Sequence, residues 1–340
     1  MTTTTPRPTP RTTDRTTSAP AAERHPATPR GSVVVGYDGS PAAVEALTWA
    51  AVEARSLGAP LTVLHATDFA DSGERLLADL SMHDVHLQVA AQARRVAEEG
   101  AAVARDMTPT PVLALWRLVD PVRALVDASR EASLVVVGNR GRGTLRAAFL
   151  GSTAFGTSAH AACPVLVVRS GTARTPDADH PVVVGADGSP SSARALAVAA
   201  DVAARTGAPL QVLTAWSVPA AGGMGAYGAV SEQHLPHLRE HAERVSAEAL
   251  TRVRARHGGL DVEARVVRAD PVWALRDASR GAGRVVVGTH GHGRLLSAVL
   301  GSVSQSAVHD CLCPVEVVPP EPARPEPVEP AGSGSGSGEV

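Results

Sequence analysis

The 340-residue sequence contains no lysine, so every fixed positive side chain is an arginine. That one absence removes whole mechanisms. The Gly-Lys-Ser/Thr phosphate loop of common nucleoside triphosphatases and the strand lysine of protein kinases are both excluded by residue type. Schiff-base chemistry goes with them. Aromatic residues make up 3% of the chain and the formal charge is −2, so there is no basic, aromatic-laced stripe for nucleic acid and no large field for an acidic membrane. Three cysteines are too few, and odd in number, for a disulfide framework; they fit a reducing cytoplasm. No apolar run reaches the roughly 18 residues that read as a membrane span, and no apolar core segment of a secretory signal opens the chain.

What is present is a duplication. Gly138 to Ser152 returns as Gly288 to Ser302, and each copy follows an apolar run, Leu134 to Val137 or Val285 to Val287. In both, a glycine is followed three positions later by another, then nine residues intervene before Gly-Ser: Gly138, Gly141, Gly151 and Ser152 against Gly288, Gly291, Gly301 and Ser302. Glycines let main-chain amides approach an anion, and a helix beginning at Gly-Ser adds unpaired N–H groups and a positive dipole end. A single such loop is only a tight turn after a strand; the repeated spacing, with Ser152 and Ser302 both able to donate a hydroxyl, points to phosphate.

Val33-Val34-Val35 has no apolar/polar alternation, which marks a strand covered on both faces, and Asp38-Gly39-Ser40-Pro41 turns it into a helix with a serine N-cap and proline at the first position. Strands at Leu61 to Ala66, Val112 to Leu118, Leu134 to Val137 and Pro164 to Val168 alternate with helices from Pro41, over Leu76 to Ala104, from Pro121 and from Ser152. This is a βαβα pattern closing on a parallel sheet. Val182 to Pro190 restarts it. The offset between halves is 149 at Asp38/Asp187 and 150 at Asp120/Asp270, so a one-residue insertion lies between the second and third strands, where Ala220 to Gly228 faces Asp68 to Gly73. The expected organisation is a Thr/Pro/Arg-rich disordered tail over 1–31, domains over 32–169 and 181–318, a polar linker over 170–180, and a Pro/Glu then Gly/Ser tail over 319–340.

Two copies of Val-Val-Val-Gly-x-Asp-Gly-Ser-Pro, each followed by Gly-x-x-Gly, nine residues and Gly-Ser, then Cys-Pro-Val, resemble a tandem universal stress protein over about Ser32 to Val318. The spacing matches the nucleotide-binding branch of that family. The resemblance implies an α/β fold of two doubly wound, five-stranded parallel-sheet domains, adenine nucleotide alpha hydrolase-like and related by a pseudo-twofold axis. It implies ATP, with or without Mg2+, across the ends of the first and fourth strands. By position, Asp38 and Asp187 match the ribose-side aspartate, and Ala66 and Ala215 the residue whose backbone meets adenine. Gly138, Gly141, Gly151, Ser152 and Thr153, with Gly288, Gly291, Gly301, Ser302 and Val303, match the phosphate and ribose contacts. As Asp-Gly, the two aspartates also suit an ordinary turn.

The halves differ in charge chemistry. Arg140 and Arg142 could pair with phosphate at any pH or point to solvent; His290 and His292, as a residue type, can be neutral or charged. Neither a Ser-His-Asp nor a paired-carboxylate spacing presents itself, so no catalytic residue is assigned, and the reading is a stress-response regulator whose occupancy carries the signal. The alternatives are a slow ATPase or autophosphorylating enzyme, and a nucleotide-free scaffold. Cys311 and Cys313 with His309 and Asp310 fit buried thiols better than a metal, and no metal site is assigned. The tryptophans are expected in core or interface. The fifth strands, 164–168 and 314–318, read as apolar edges that protect each other across an internal pseudo-dimer axis, as dimers of the family pair; further homodimers and an unknown protein partner stay open.

Overall fold

A computed structural model describes residues 27–68, 82–141, 150–171, 174–217, 235–291 and 300–320. Its first half runs β1 (Val33–Gly36), α1 (Pro41–Leu57), β2 (Leu61–Ala66), α2 (Met82–Met107), β3 (Val112–Arg117), α3 (Pro121–Ala128), β4 (Leu134–Gly138), α4 (Ser152–His160) and β5 (Val165–Val168). The second repeats the order as β6 (Val182–Gly185), α5 (Pro190–Thr206), β7 (Leu210–Trp216), α6 (Leu235–Arg256), β8 (Val262–Arg268), α7 (Pro271–Ala278), β9 (Arg284–Gly288), α8 (Ser302–Asp310) and β10 (Val315–Val318). The part of the expected second helix before residue 82, most of both tails, Arg142, His292 and the segment over 220–228 lie outside the described residues.

The strands form one ten-stranded sheet in the order β3-β2-β1-β4-β5-β10-β9-β6-β7-β8. Every neighbouring pair is parallel except β5 and β10, which meet antiparallel with Val165 opposite Val317, Leu166 opposite Glu316 and Val167 opposite Val315. The two outer strands of the five-stranded units thus cover each other, and the pseudo-twofold axis passes through this seam. The three valines of β1 and of β6 are fully buried, as the absence of alternation requires. Ser40 Oγ accepts from Ala43 N at 3.2 Å and Ser189 Oγ from Ser192 N at 3.2 Å, capping α1 and α5. Gly58 and Gly207, both left-handed, end them.

One face of the sheet carries a continuous apolar cluster that crosses the seam, joining α3, α4, α7 and α8 through Val135, Val165, Val285 and Val315. The other face carries two separate clusters, under α1 and α2 in one half and under α5 and α6 in the other. Between those two clusters lies a buried charge group that breaks the expectation of apolar fifth strands. Glu316, in the middle of β10, and Arg284, at the start of β9, are 3% and 1% exposed. Arg284 donates to Glu316 Oε2 at 2.9 Å and to Glu53 Oε1 of α1, and stands 5.8 Å over the Trp49 ring. Arg205 of α5 completes the group, donating to Glu53 Oε2 at 3.2 Å and to Ser56 Oγ at 3.0 Å. Burial by itself raises the carboxyl of Glu53, but Arg284 and Arg205 outweigh it and hold the group below the usual carboxylate range. Glu316, equally buried, is raised by that burial despite Arg284, and repulsion from Glu53 adds to the rise.

The described residues between 170 and 180 are pinned to their neighbours. Arg174 donates to Arg280 O at 2.6 Å, Gly171 N to Glu45 at 3.1 Å, and Gly283 leaves room for Pro176, which a Cβ would meet at 2.5 Å. Among the described residues, no helix is long and apolar enough to cross a membrane. Trp49 is buried, as expected, whereas Trp273 on α7 is 62% exposed with Arg276 5.4 Å over its ring.

Candidate functional site

The chain leaves β1 toward β2 on one side while β4 leads to β5 on the other, so their carboxyl ends open a crevice where the strand order reverses. A cavity of about 360 Å³ lies there in the first half, and one of about 380 Å³ at the same place between β6 and β9. Both fall within the volume range of small-molecule sites.

The first cavity gathers Asp38, Ala66, Gly138, Arg140, Gly141, Gly151, Ser152 and Thr153 on one wall system. The second gathers Asp187, Ala215, Gly288, His290, Gly291, Gly301, Ser302 and Val303. Residues as far apart in sequence as Asp38 and Thr153, or Asp187 and Val303, therefore meet, in matching sets.

The wall is built from close backbone approaches. Asp38 Oδ1 accepts from Ser40 N at 2.9 Å, which fixes the carboxylate at the helix entrance, and Asp187 does the same with Ser189 N at 2.9 Å. The other oxygen of each lies against the glycine loop: a Cβ on Gly141 would stand 2.9 Å from Asp38 Oδ2, and one on Gly291 2.6 Å from Asp187 Oδ2. Gly138 lets the end of β4 pack on the first turn of α1, since a Cβ there would meet Ala42 O at 2.7 Å. Gly288 does the same against Ser191, whose backbone carbon would be 2.9 Å away.

The loop returns on itself through Gly151 N, which donates to Asn139 O at 2.9 Å, and through Gly301 N to Thr289 O at 2.8 Å. Helices α4 and α8 start immediately afterwards, and neither Gly151 nor Gly301 offers a side chain to cap them. The first-turn amides at Ser152, Thr153, Ser302 and Val303 consequently border the cavities without a local side-chain cap, the condition under which a helix N-terminus takes an anion. Asn139 Oδ1, Thr289 Oγ1 and His290 Nε2, on the same loops, are buried with no hydrogen-bond partner among the described residues.

Apolar residues that motif spacing did not single out make the opposite wall. Leu64 and Leu125 line the first cavity and Leu213 and Leu275 the second, with Pro121 and Pro271 beside them. The Asp-Pro helix starts at Asp120 and Asp270 carried the signal for the last pair, but only as helix punctuation. Tyr37 lines the first cavity, and its place in the second is taken by Ala186. The Tyr37 ring rests on Gly100 of α2, where a Cβ would come within 2.6 Å. Ser304, the counterpart of Ala154, ties the second loop by donating to Gly288 O and to Thr289 O at 3.2 Å.

Among the described residues no group of three or more His, Cys, Asp or Glu is arranged to hold a metal ion. The three cysteines are free and buried. Burial pushes the Cys163 and Cys311 thiols up to about 12 and raises Cys313 as well.

The universal stress protein family model matches residues 29–169 and 180–319. A universal stress protein of Mycobacterium tuberculosis is 36% identical over 305 residues, covering 84% of this chain and 96% of its own. Among solved structures, a universal stress protein from Archaeoglobus fulgidus superposes with a TM-score of 0.58 at 20% identity, over 86% of this chain and 98% of that one. Another, solved in complex with cAMP, covers 42% of this chain and 98% of its own at 29% identity, with a TM-score of 0.32.

Proposed function

The chain belongs to the universal stress protein family, and from that premise we propose that each half binds an adenine nucleotide, ATP with its magnesium ion, and that occupancy rather than turnover is what the protein signals in a stress response. The domains that bind are 32–169 and 181–318, working in the cytoplasm.

The observation that carries this reading is the duplicated apposition of a carboxylate and a glycine loop beside an uncapped helix start. Asp38 beside Gly141 and α4, and Asp187 beside Gly291 and α8, leave no room for a side chain at either glycine, so main chain faces the cavity at those two positions. The donor set fits a nucleotide in a protein without lysine. Amides at Ser152 and Thr153, or Ser302 and Val303, with the serine hydroxyls, would take phosphate oxygens. Asp38 and Asp187 would accept from ribose hydroxyls. The Leu64/Leu125 and Leu213/Leu275 walls would bury the base, with the backbone at Ala66 and Ala215 facing its polar edge. Magnesium would arrive on the phosphates and neutralise part of their charge. Arg140 would supply charge in one site, and His290 would offer a hydrogen bond at the matching place in the other.

Isothermal titration of the full chain with ATP, GTP and adenosine in the presence of magnesium tests the reading. Saturable ATP binding, with adenosine weaker for want of phosphate and GTP weaker for want of the adenine edge, is the expected result. Equal heats for GTP and ATP would remove the base assignment.

A further inference from the structure

The buried charge group at the seam has no counterpart under the pseudo-twofold operation. Arg284 pairs with Val182 across the sheet, and its equivalent Leu134 pairs with Val33. Glu316 lies directly opposite its own equivalent, Leu166. Counting from the proline at the start of α1 and of α5, Glu53 corresponds to Val202, Ser56 to Arg205 and Trp49 to Val198. Arg205 therefore bonds to the residue that holds its own place in the other half.

This arrangement makes the seam a lock for unlike halves. In the observed pairing two arginines meet two glutamates and the charges balance. Pairing two first halves would bury two Glu53 carboxylates at the seam without an arginine. Two second halves would bring Glu316 against Glu316 and Arg205 against Arg205, with a surplus of positive charge and no Glu53. A buried charge deprived of its partner is costly, whereas a balanced buried pair is nearly neutral against an apolar replacement. The group thus contributes more to the choice of partner than to the strength of the pairing.

We propose that the Glu53–Arg284–Glu316–Arg205 group is a specificity code by which the first half accepts the second half and refuses both another copy of itself and any single domain of this family whose seam is apolar. The shared apolar face, which crosses the seam through Val165 and Val315, would by itself accept all of these.

The test uses the folded full chain with a protease site placed after Thr172, cut after folding, unfolded in urea and refolded by dilution, with the pairs weighed by native mass spectrometry. The wild-type seam is expected to return almost wholly unlike pairs. A seam erased with the residues that the opposite half already carries (Glu53→Val, Arg205→Ser, Arg284→Leu, Glu316→Leu) is expected to drift toward the statistical one-to-two-to-one mixture. A statistical mixture from the wild type, or purely unlike pairs from the erased seam, overturns the proposal. A second arm needs no refolding of cut chains. An intact chain given the second half's charged residues on both sides (Glu53→Val, Ser56→Arg, Leu134→Arg, Leu166→Glu), with Trp49 kept in both chains compared, should melt well below the intact erased chain. Melting at or above it would equally overturn the code.

Discussion

Gly141 has no side chain because the Asp38 carboxylate already fills the space where one would go: an added Cβ would be 2.9 Å from Asp38 Oδ2. At the matching place in the second half the gap is 2.6 Å, between Gly291 and Asp187 Oδ2. Gly141→Ala and Gly291→Ala should each push the loop off its carboxylate and weaken nucleotide binding in their own half by about ten- to hundredfold, the equivalent of about 1–3 kcal/mol. The tighter approach at Gly291 makes its variant the more damaging. Titration calorimetry of the two single variants, each leaving the other half intact, reads both effects; unchanged affinity in both would separate the loop from the ligand.

Gly138 answers to a different constraint. Its missing Cβ would collide with Ala42 O, a main-chain atom that cannot swing aside. Gly138→Ala should therefore cost about 1–3 kcal/mol of stability through displaced backbone, whether or not nucleotide is present. Chemical denaturation without ligand should show the loss, and a wild-type midpoint would contradict the packing described here.

The two buried glutamates should respond in opposite senses. Glu53, held below the usual range by Arg284 and Arg205, contributes stability that is present above the unfolded carboxylate value and lost as pH falls through its own lowered one. Glu53→Gln should cost about 3–5 kcal/mol near neutral pH by leaving buried arginine charge unbalanced, and should flatten the acid limb of the stability curve. Glu316 is raised, so its native environment favours the neutral form, and its contribution weakens as pH rises through that raised value. Glu316→Gln should cost distinctly less. Equal losses from denaturation of the two variants would contradict this division.

Much of this architecture can be read from the residues. The valine runs of β1 and β6 lack alternation because both faces are covered, and the Asp-Gly-Ser-Pro turns and loop spacing fix where the cavities lie. The seam charges could not be read in the same way. Glu316 stands in an apolar run and Arg284 precedes one, and each is tolerable in the core only through the other and through Glu53, 231 residues before Arg284. Local patterning carries no record of such a partner. Leu125 and Leu275 escaped for a related reason: a helix's core-facing leucine and a cavity-lining leucine have the same period.

Arg140 offers a forked guanidinium to the first cavity, whereas His290 offers imidazole nitrogens at the matching place in the second. First-site affinity for ATP should therefore exceed second-site affinity by about three- to tenfold. Gly291→Ala weakens the second site and Gly141→Ala the first, so each variant reads mainly one site. Equal affinities would remove the distinction.

The thiols offer a check on the core. With burial pushing Cys163 and Cys311 up to about 12, there is little thiolate at neutral pH and little access to what exists. Alkylation of the native chain at pH 8 should leave all three cysteines unmodified until denaturant is added, and rapid native labelling of Cys163 would contradict its burial in the apolar cluster that crosses the seam.

The central claim is that main-chain cradles without lysine hold ATP at the tips of both halves. Equilibrium dialysis of the intact chain against labelled ATP and magnesium measures it directly. Two equivalents retained per chain, with one of them weakened about ten- to hundredfold by Gly141→Ala or Gly291→Ala and both by the double variant, is the predicted result; no retention at millimolar nucleotide by the folded wild-type chain would contradict it.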